Sequence, residues 1–146
     1  MTDWKTTTLG KTGWKVGRLG LASSYGADEP CVKMAFERGV NYLYWGSMRT
    51  AKFGTGLRSL RSRRDVFRLV IQSYSRIAAL VPWSLERALK SLGMDHADIL
   101  LLGMWNKDVS PAIFDQALRL RERGLIRAIA VTTHNRPQAA ATIMAM

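Results

Sequence analysis

Short apolar runs alternate with amphipathic helical stretches five times along this chain, at a spacing of about 30 residues, and that rhythm restricts the possible folds more than any other feature. Residues 19–22, 40–44, 67–71, 98–102 and 126–131 read as strands. Between them, 30–38 places Val32, Ala35 and Phe36 at helical spacing and stops at Gly39, a residue suited to end a helix. Residues 50–60 carry a weaker helical pattern, interrupted by Gly54 and Gly56. Pro82 opens a helix over 82–92 that Gly93 closes, with Leu85, Ala88, Leu89 and Leu92 on one face. A further helix over 111–123 turns Ile113, Phe114, Ala117, Leu118 and Leu120 inward, and 136–146, with Met144 and Met146, begins another. Residues 6–16 form two short β-like runs around a glycine-containing turn, the signature of a hairpin.

Such alternation specifies an α/β protein of right-handed βαβ units around a parallel sheet. Two architectures satisfy it, a doubly wound sheet and part of a (β/α)8 barrel. A doubly wound nucleotide-binding sheet calls for a glycine fingerprint after its first strand, and the loop from Gly20 through Ser23 to Gly26 has none. With 146 residues, 47% of them hydrophobic, and a mean hydropathy of −0.08, the sequence is expected to form one soluble domain over 1–146.

Charge and cysteine content bound the function. The net charge is +11, from 22 basic against 11 acidic residues. It concentrates in Arg58, Arg61, Arg63, Arg64 and Arg68 and again in Arg119, Arg121, Arg123 and Arg127, a pattern read as a solvated basic surface. No aromatic-interleaved basic patch or zinc finger accompanies these residues, so a nucleic-acid partner rests on charge alone. Cys31 is the single cysteine and His96 and His134 the only histidines, which leaves no metal-binding cluster. His96, between Asp95 and Asp98, reads as structural. The N-terminal residues lack an apolar signal core and no window suits a membrane span, so the expected compartment is cytoplasmic, with no membrane partner.

Several blocks in order resemble the aldo-keto reductase family. The run Leu9-Gly10-Lys11-Thr12-Gly13-Trp14-Lys15-Val16-Gly17-Arg18-Leu19-Gly20-Leu21 is similar to that family's opening hairpin and first strand. Glu37-Arg38-Gly39-Val40-Asn41-Tyr42 resembles its approach to the second strand, and Arg63-Arg64-Asp65-Val66-Phe67 its entry to the third. The stretch from Ser84 through Gly93 to Leu102 resembles the third helix with the fourth strand, and that from Arg123 to Val131 the fifth strand. The resemblance implies a partial (β/α)8 TIM barrel, about its first five βα units behind an N-terminal β-hairpin. It also implies a lineage of NADPH-dependent oxidoreductases that pass hydride to an aldehyde or ketone, with a tyrosine as proton donor assisted by aspartate, lysine and histidine at the strand ends.

Those catalytic types are replaced here. The resemblance sets Tyr44 where the aspartate belongs, Arg49 and Thr50 where the tyrosine and its glycine belong, Tyr74 for the lysine and Gly103 for the histidine. Thr132 and Thr133 stand in for the pair that would hold the nicotinamide amide. Carbonyl reduction needs a proton donor with a group that lowers its pKa. An arginine does not release its proton near neutrality. The chain also holds between four and five units of an eight-unit barrel of ~250 residues, and in this family the later units supply most cofactor contacts. We therefore expect no carbonyl turnover from this chain, and NADPH not to be bound by it alone.

Tyr44, Arg49, Tyr74 and His134 remain the strand-end candidates for a reworked acid/base or anion site, with His134 either facing the same mouth or capping the next helix. Trp45 and Trp105 either wall a ligand cleft or pack against helices. Five parallel strands cannot close a barrel. Apolar residues Leu21, Leu43, Val70, Leu101 and Ile129, or their alternating neighbours, are then expected to be partly exposed, and the chain expressed alone to self-associate, the other outcomes being an open sheet covered by the last helix or a need for a C-terminal half. A small-molecule carbonyl substrate is expected only if the chain is active.

Overall fold

The computed structural model describes residues 5–46, 49–106, 108–134 and 141. Two antiparallel strands, β1 (Thr6–Thr8) and β2 (Lys15–Gly17), form the hairpin, and five parallel strands follow: β3 (Leu21–Ala22), β4 (Tyr42–Trp45), β5 (Arg68–Ser73), β6 (Ala97–Leu102) and β7 (Ile126–Val131). Four helices connect them: α1 (Glu29–Glu37), α2 (Ala51–Ser59), α3 (Leu80–Leu92) and α4 (Pro111–Glu122). The helix read over 136–146, with Met144 and Met146, lies outside the described residues.

Strand order in the sheet is the order in the chain, β3-β4-β5-β6-β7. A doubly wound sheet reverses its order at a switch point, so the sequential order identifies the arc of a (β/α) barrel. Register aligns Ala22, Tyr44, Val70, Ile99 and Ala128 across the inner face and Trp45, Ile71, Leu100 and Ile129 across the outer one. The outer row packs with Val32, Phe53, Leu57, Leu85 and Ile113 from the helices into one core, where each fully buried aliphatic or aromatic side chain contributes about 1.5–3 kcal/mol.

Local chemistry explains most boundaries. The Asp28 carboxylate caps α1 by accepting from the Cys31 N–H at 3.1 Å, and that bond holds its pKa below the ordinary carboxylate value. Gly93 ends α3 at φ +63°, a left-handed conformation that favours glycine. The hairpin docks against the start of β4 through Asn41, whose Oδ1 accepts from the Gly17 N–H at 2.8 Å and whose Nδ2 donates to the Lys15 carbonyl at 3.1 Å.

Two expectations need correction. The first barrel strand is two residues long; Leu19 is 78% exposed, and at Gly20 a Cβ would stand 2.8 Å from the Tyr42 ring. Leu43 and Val70 are fully buried, Leu43 because it faces the helices and Val70 because Tyr44 and Ile99 flank it on the inner face. Leu21, Leu101 and Ile129 are half-buried.

The helix expected over 50–60 is present as α2, and Gly54 and Gly56, which weaken it in propensity, are buried in it. A Cβ at Gly56 would stand 2.6 Å from the Val32 Cβ, so this glycine sets how closely α1 and α2 approach. Helix propensity predicts that Gly56→Leu stabilises by about 1 kcal/mol, whereas overpacking costs about 1–3 kcal/mol. With the contact that short, we expect a net loss in urea denaturation; a raised midpoint would show that α1 and α2 separate freely.

Candidate functional site

At the C-terminal ends of β4 and β5, a tyrosine and an arginine converge on Gln72, a polar residue inside the apolar run of β5. The Tyr44 hydroxyl donates to the Gln72 side-chain oxygen. Arg49 donates through Nη2 to the Gln72 carbonyl at 2.6 Å and to Ser84 Oγ at 3.0 Å, and through Nη1 to the Ser84 carbonyl at 3.1 Å. Its guanidinium thus ties the end of β5 to the first turn of α3. Tyr74 lies beyond β5 with its ring against Gly103, where a Cβ would come within 2.7 Å of it. Gly46 likewise leaves room for the Tyr44 ring.

These residues line two separate cavities. Arg49 and Tyr74 belong to one of about 450 Å³ between the ends of β4 and β5 and the start of α3, together with Leu80, Trp83 and Ser84. Tyr44 and Thr132 belong to another of about 590 Å³ on the inner face of the arc, with Leu9, Val16, Leu21 and Leu101. Burial, and secondarily the neighbouring Tyr44, raises the pKa of Tyr42 in that inner cavity above the ordinary phenol value. Burial, and secondarily the Arg87 charge, lowers that of Arg49.

The remaining candidates serve the loop after β6. Thr132 Oγ1 accepts from the Met104 N–H at 2.8 Å, and its carbonyl accepts from the Trp105 N–H at 2.7 Å. Asn106 Oδ1 accepts from the Thr133 hydroxyl at 3.3 Å and from the His134 N–H at 2.8 Å. Thr132 and Thr133 thus both help to hold this loop. The His134 residue is exposed and lines neither cavity. Its capping role cannot be read, since the residues after it lie outside the described set.

Trp45 and Trp105 are both buried: the Trp45 indole N–H donates to the Thr50 carbonyl at 3.2 Å, and Arg76 stacks 4.0 Å above the Trp105 ring. They pack rather than wall a cleft. The tryptophan that does wall one is Trp83, on the exposed side of α3. Arg76 adds hydrogen bonds to the carbonyls of Tyr74, Gly103 and Met104, clamping the loop after β5 to that after β6. Met104 there is held at φ +57°.

At the opposite end of the strands, part of the supposed solvated basic surface is internal. Asp98 is fully buried; its Oδ2 accepts from Arg64 Nη2 at 2.6 Å and from the Leu69 N–H at 2.8 Å, and its Oδ1 from Arg68 Nη1 at 3.2 Å. Arg64 also donates to the carbonyls of Phe67 and His96, and His96 Nδ1 lies 2.7 Å from Asp95 Oδ1. The hydrogen bond from His96 is the main cause of a lowered Asp95 pKa. Among the described residues, no group of three or more His, Cys, Asp or Glu is placed to hold a metal, and no helix is long and apolar enough to cross a membrane.

No protein-family profile matches this chain, and no curated protein sequence does. Its fold matches solved structures. The aldo-keto reductase AKR11C1 from Bacillus halodurans, in its holo form, superposes with a TM-score of 0.78 at 21% identity, over 97% of this chain and 54% of that one. An aldo/keto reductase from Brucella melitensis gives 0.78 at 18% identity, over 99% and 58%. An aldo-keto reductase from Klebsiella pneumoniae in complex with NADPH gives 0.73 at 23% identity, over 87% and 49%. The chain thus spans about half the length of the structures it matches. Its parallel arc, with the hairpin at the foot of β4, has the fold of about half of an aldo-keto reductase barrel.

Proposed function

We propose that this chain descends from the aldo-keto reductase lineage of NADP-dependent oxidoreductases, that in this form it reduces no carbonyl, and that it acts as a binding or assembly module. The observation that carries this reading is the fate of the strand-end donors. The Tyr44 phenol donates to the neutral Gln72 amide, and the three Arg49 bonds go to neutral oxygens instead of a phenol. A tyrosine gives up its proton near neutrality only when a neighbouring cation lowers its pKa. The engagement of Thr132 and Thr133 with the loop after β6 supports the further reading that NADPH is not held by this chain alone.

The test is NADPH oxidation by the purified chain with simple aldehydes, ketones and quinones. We expect no consumption above the uncatalysed rate. Turnover of about 1 s⁻¹ that vanishes in Tyr44→Phe or Tyr74→Phe would overturn the reading and make that tyrosine a relocated proton donor.

The assembly reading draws on the sheet edges. β3 and β7 each have one side without a strand neighbour among the described residues. Closing the barrel with a second copy, or with a C-terminal half, would cover both. Nucleic-acid binding draws on charge alone, and burial of Arg64 and Arg68 in the Asp98 network removes two members of the basic cluster from that role.

A further inference from the structure

We propose that the cavity between the ends of β4 and β5 and the start of α3 binds a small aromatic carboxylate. Its volume of about 450 Å³ lies in the range of sites for small organic ligands. Arg49 is a half-buried cation there with no counter-ion among the described residues. Three of its five N–H donors are engaged, all by neutral oxygens, and none of the ion pairs among the described residues includes it. A charge of the same sign acts on it: Arg87, whose guanidinium lies 5.3 Å from the Trp83 ring and which has no ion pair among the described residues. Glu86 beside it is committed to Arg123 at 2.7 Å. A half-buried charge met only by neutral oxygens is costlier than a paired one, and an anion entering this cavity lowers that cost.

The walls specify the rest of the ligand. Tyr74, Leu80 and Trp83 line the cavity, yet they are 42%, 42% and 55% exposed. Large apolar side chains gathered around a cation suit a flat apolar body that ends in one negative group. Arg49 retains its Nε–H and one Nη1–H, which diverge, so that one guanidinium N–H is left to meet a carboxylate oxygen, and the apolar walls favour a flat aromatic acid over the fully polar phosphate. The Ser84 hydroxyl, which accepts from Arg49, is left with its own proton to donate. Binding here requires no turnover, so the site stands or falls separately from the carbonyl chemistry.

Equilibrium dialysis of the full chain against naphthoate, its neutral analogue naphthamide and inorganic phosphate tests the site. We expect naphthoate to bind with a Kd of about 1 mM or below, naphthamide to bind about tenfold more weakly, and phosphate not to displace naphthoate. Arg49→Gln should weaken naphthoate about tenfold and leave naphthamide unchanged. Since Arg49 also ties β5 to α3, the circular dichroism of that variant is compared first. If the variant has lost its fold, the exposed Arg87→Gln decides, with an expected loss of about threefold. Arg119→Gln, on α4, controls for the net charge and should change nothing. Equal affinity for acid and amide, displacement by phosphate, unchanged binding in the folded arginine variant, or an equal loss in Arg119→Gln overturns the proposal.

Discussion

Replacing Asp98 by alanine is expected to remove about 3–5 kcal/mol of stability, a large part of the 5–15 kcal/mol that holds a typical domain folded. Asp98 has a fully buried side chain and is reached by three arginines: Arg64 at 2.6 Å, Arg68 at 3.2 Å and Arg127 at 3.6 Å. It also accepts the Leu69 N–H, so one carboxylate joins the turn before β5, the start of β5, β6 and β7. The loss does not measure the attraction of one pair. It arises because Arg64, only 8% exposed, would keep its charge with no carboxylate, leaving only the carbonyls of Phe67 and His96.

Asp98→Asn separates charge from shape. The amide keeps one oxygen for the Leu69 N–H but no longer neutralises Arg64, and its new N–H donors face guanidinium groups. We expect it to recover little of the loss. Urea denaturation of both variants checks this, and a loss under about 1 kcal/mol in Asp98→Ala would show that backbone carbonyls alone satisfy Arg64. The network sits at the N-terminal end of the strands, which in a (β/α) barrel serves stability, so neither variant should alter naphthoate binding at the opposite end beyond what unfolding removes.

The Asp98 network also marks where the sequence stops being readable. The strand and helix rhythm follows from local periodicity and predicts five parallel strands, while their order in the sheet is left open by it between a doubly wound sheet and a barrel. Arg64 reads as one of a run of solvated charges because its partner lies 34 residues away and no local signal joins them. Gly56 reads as a flaw in a helix because propensity is a property of one segment, while the Val32 contact belongs to two. At the strand ends, Tyr44, Arg49 and Tyr74 are identifiable as positions. That Arg49 turns toward Ser84, while Tyr44 turns to the inner cavity, depends on Gln72, whose one local hint is its polarity within the run Leu69-Val70-Ile71. Trp83 carries no hint at all, since an outward aromatic on a helix shows its purpose only once Arg49 lies beside it.

The thermal midpoint of this 146-residue chain, expressed alone, is expected to rise with protein concentration. The reason lies at β3. Cavities of about 510 and 590 Å³ flank it on the helix side and on the inner side, both lined by Gly20, Leu21 and Ala22. Tyr25, 90% exposed, and Met34, 45% exposed, border the first of these. A strand open along one edge and hollow on both faces is what a barrel leaves when its next unit is missing. Two chains related by an axis along the barrel would each present β7 to the other's β3, keeping every pairing parallel. A charge of +11 on each opposes that approach, so added salt should strengthen association, the reverse of its effect on nucleic-acid binding. Cys31, the single cysteine, lines the helix-side cavity and should react more slowly with a thiol reagent as concentration rises. A compact monomer whose midpoint stays constant over about a hundredfold range of concentration, with Cys31 equally reactive throughout, would rule out self-association and leave a C-terminal half as the element that covers β3.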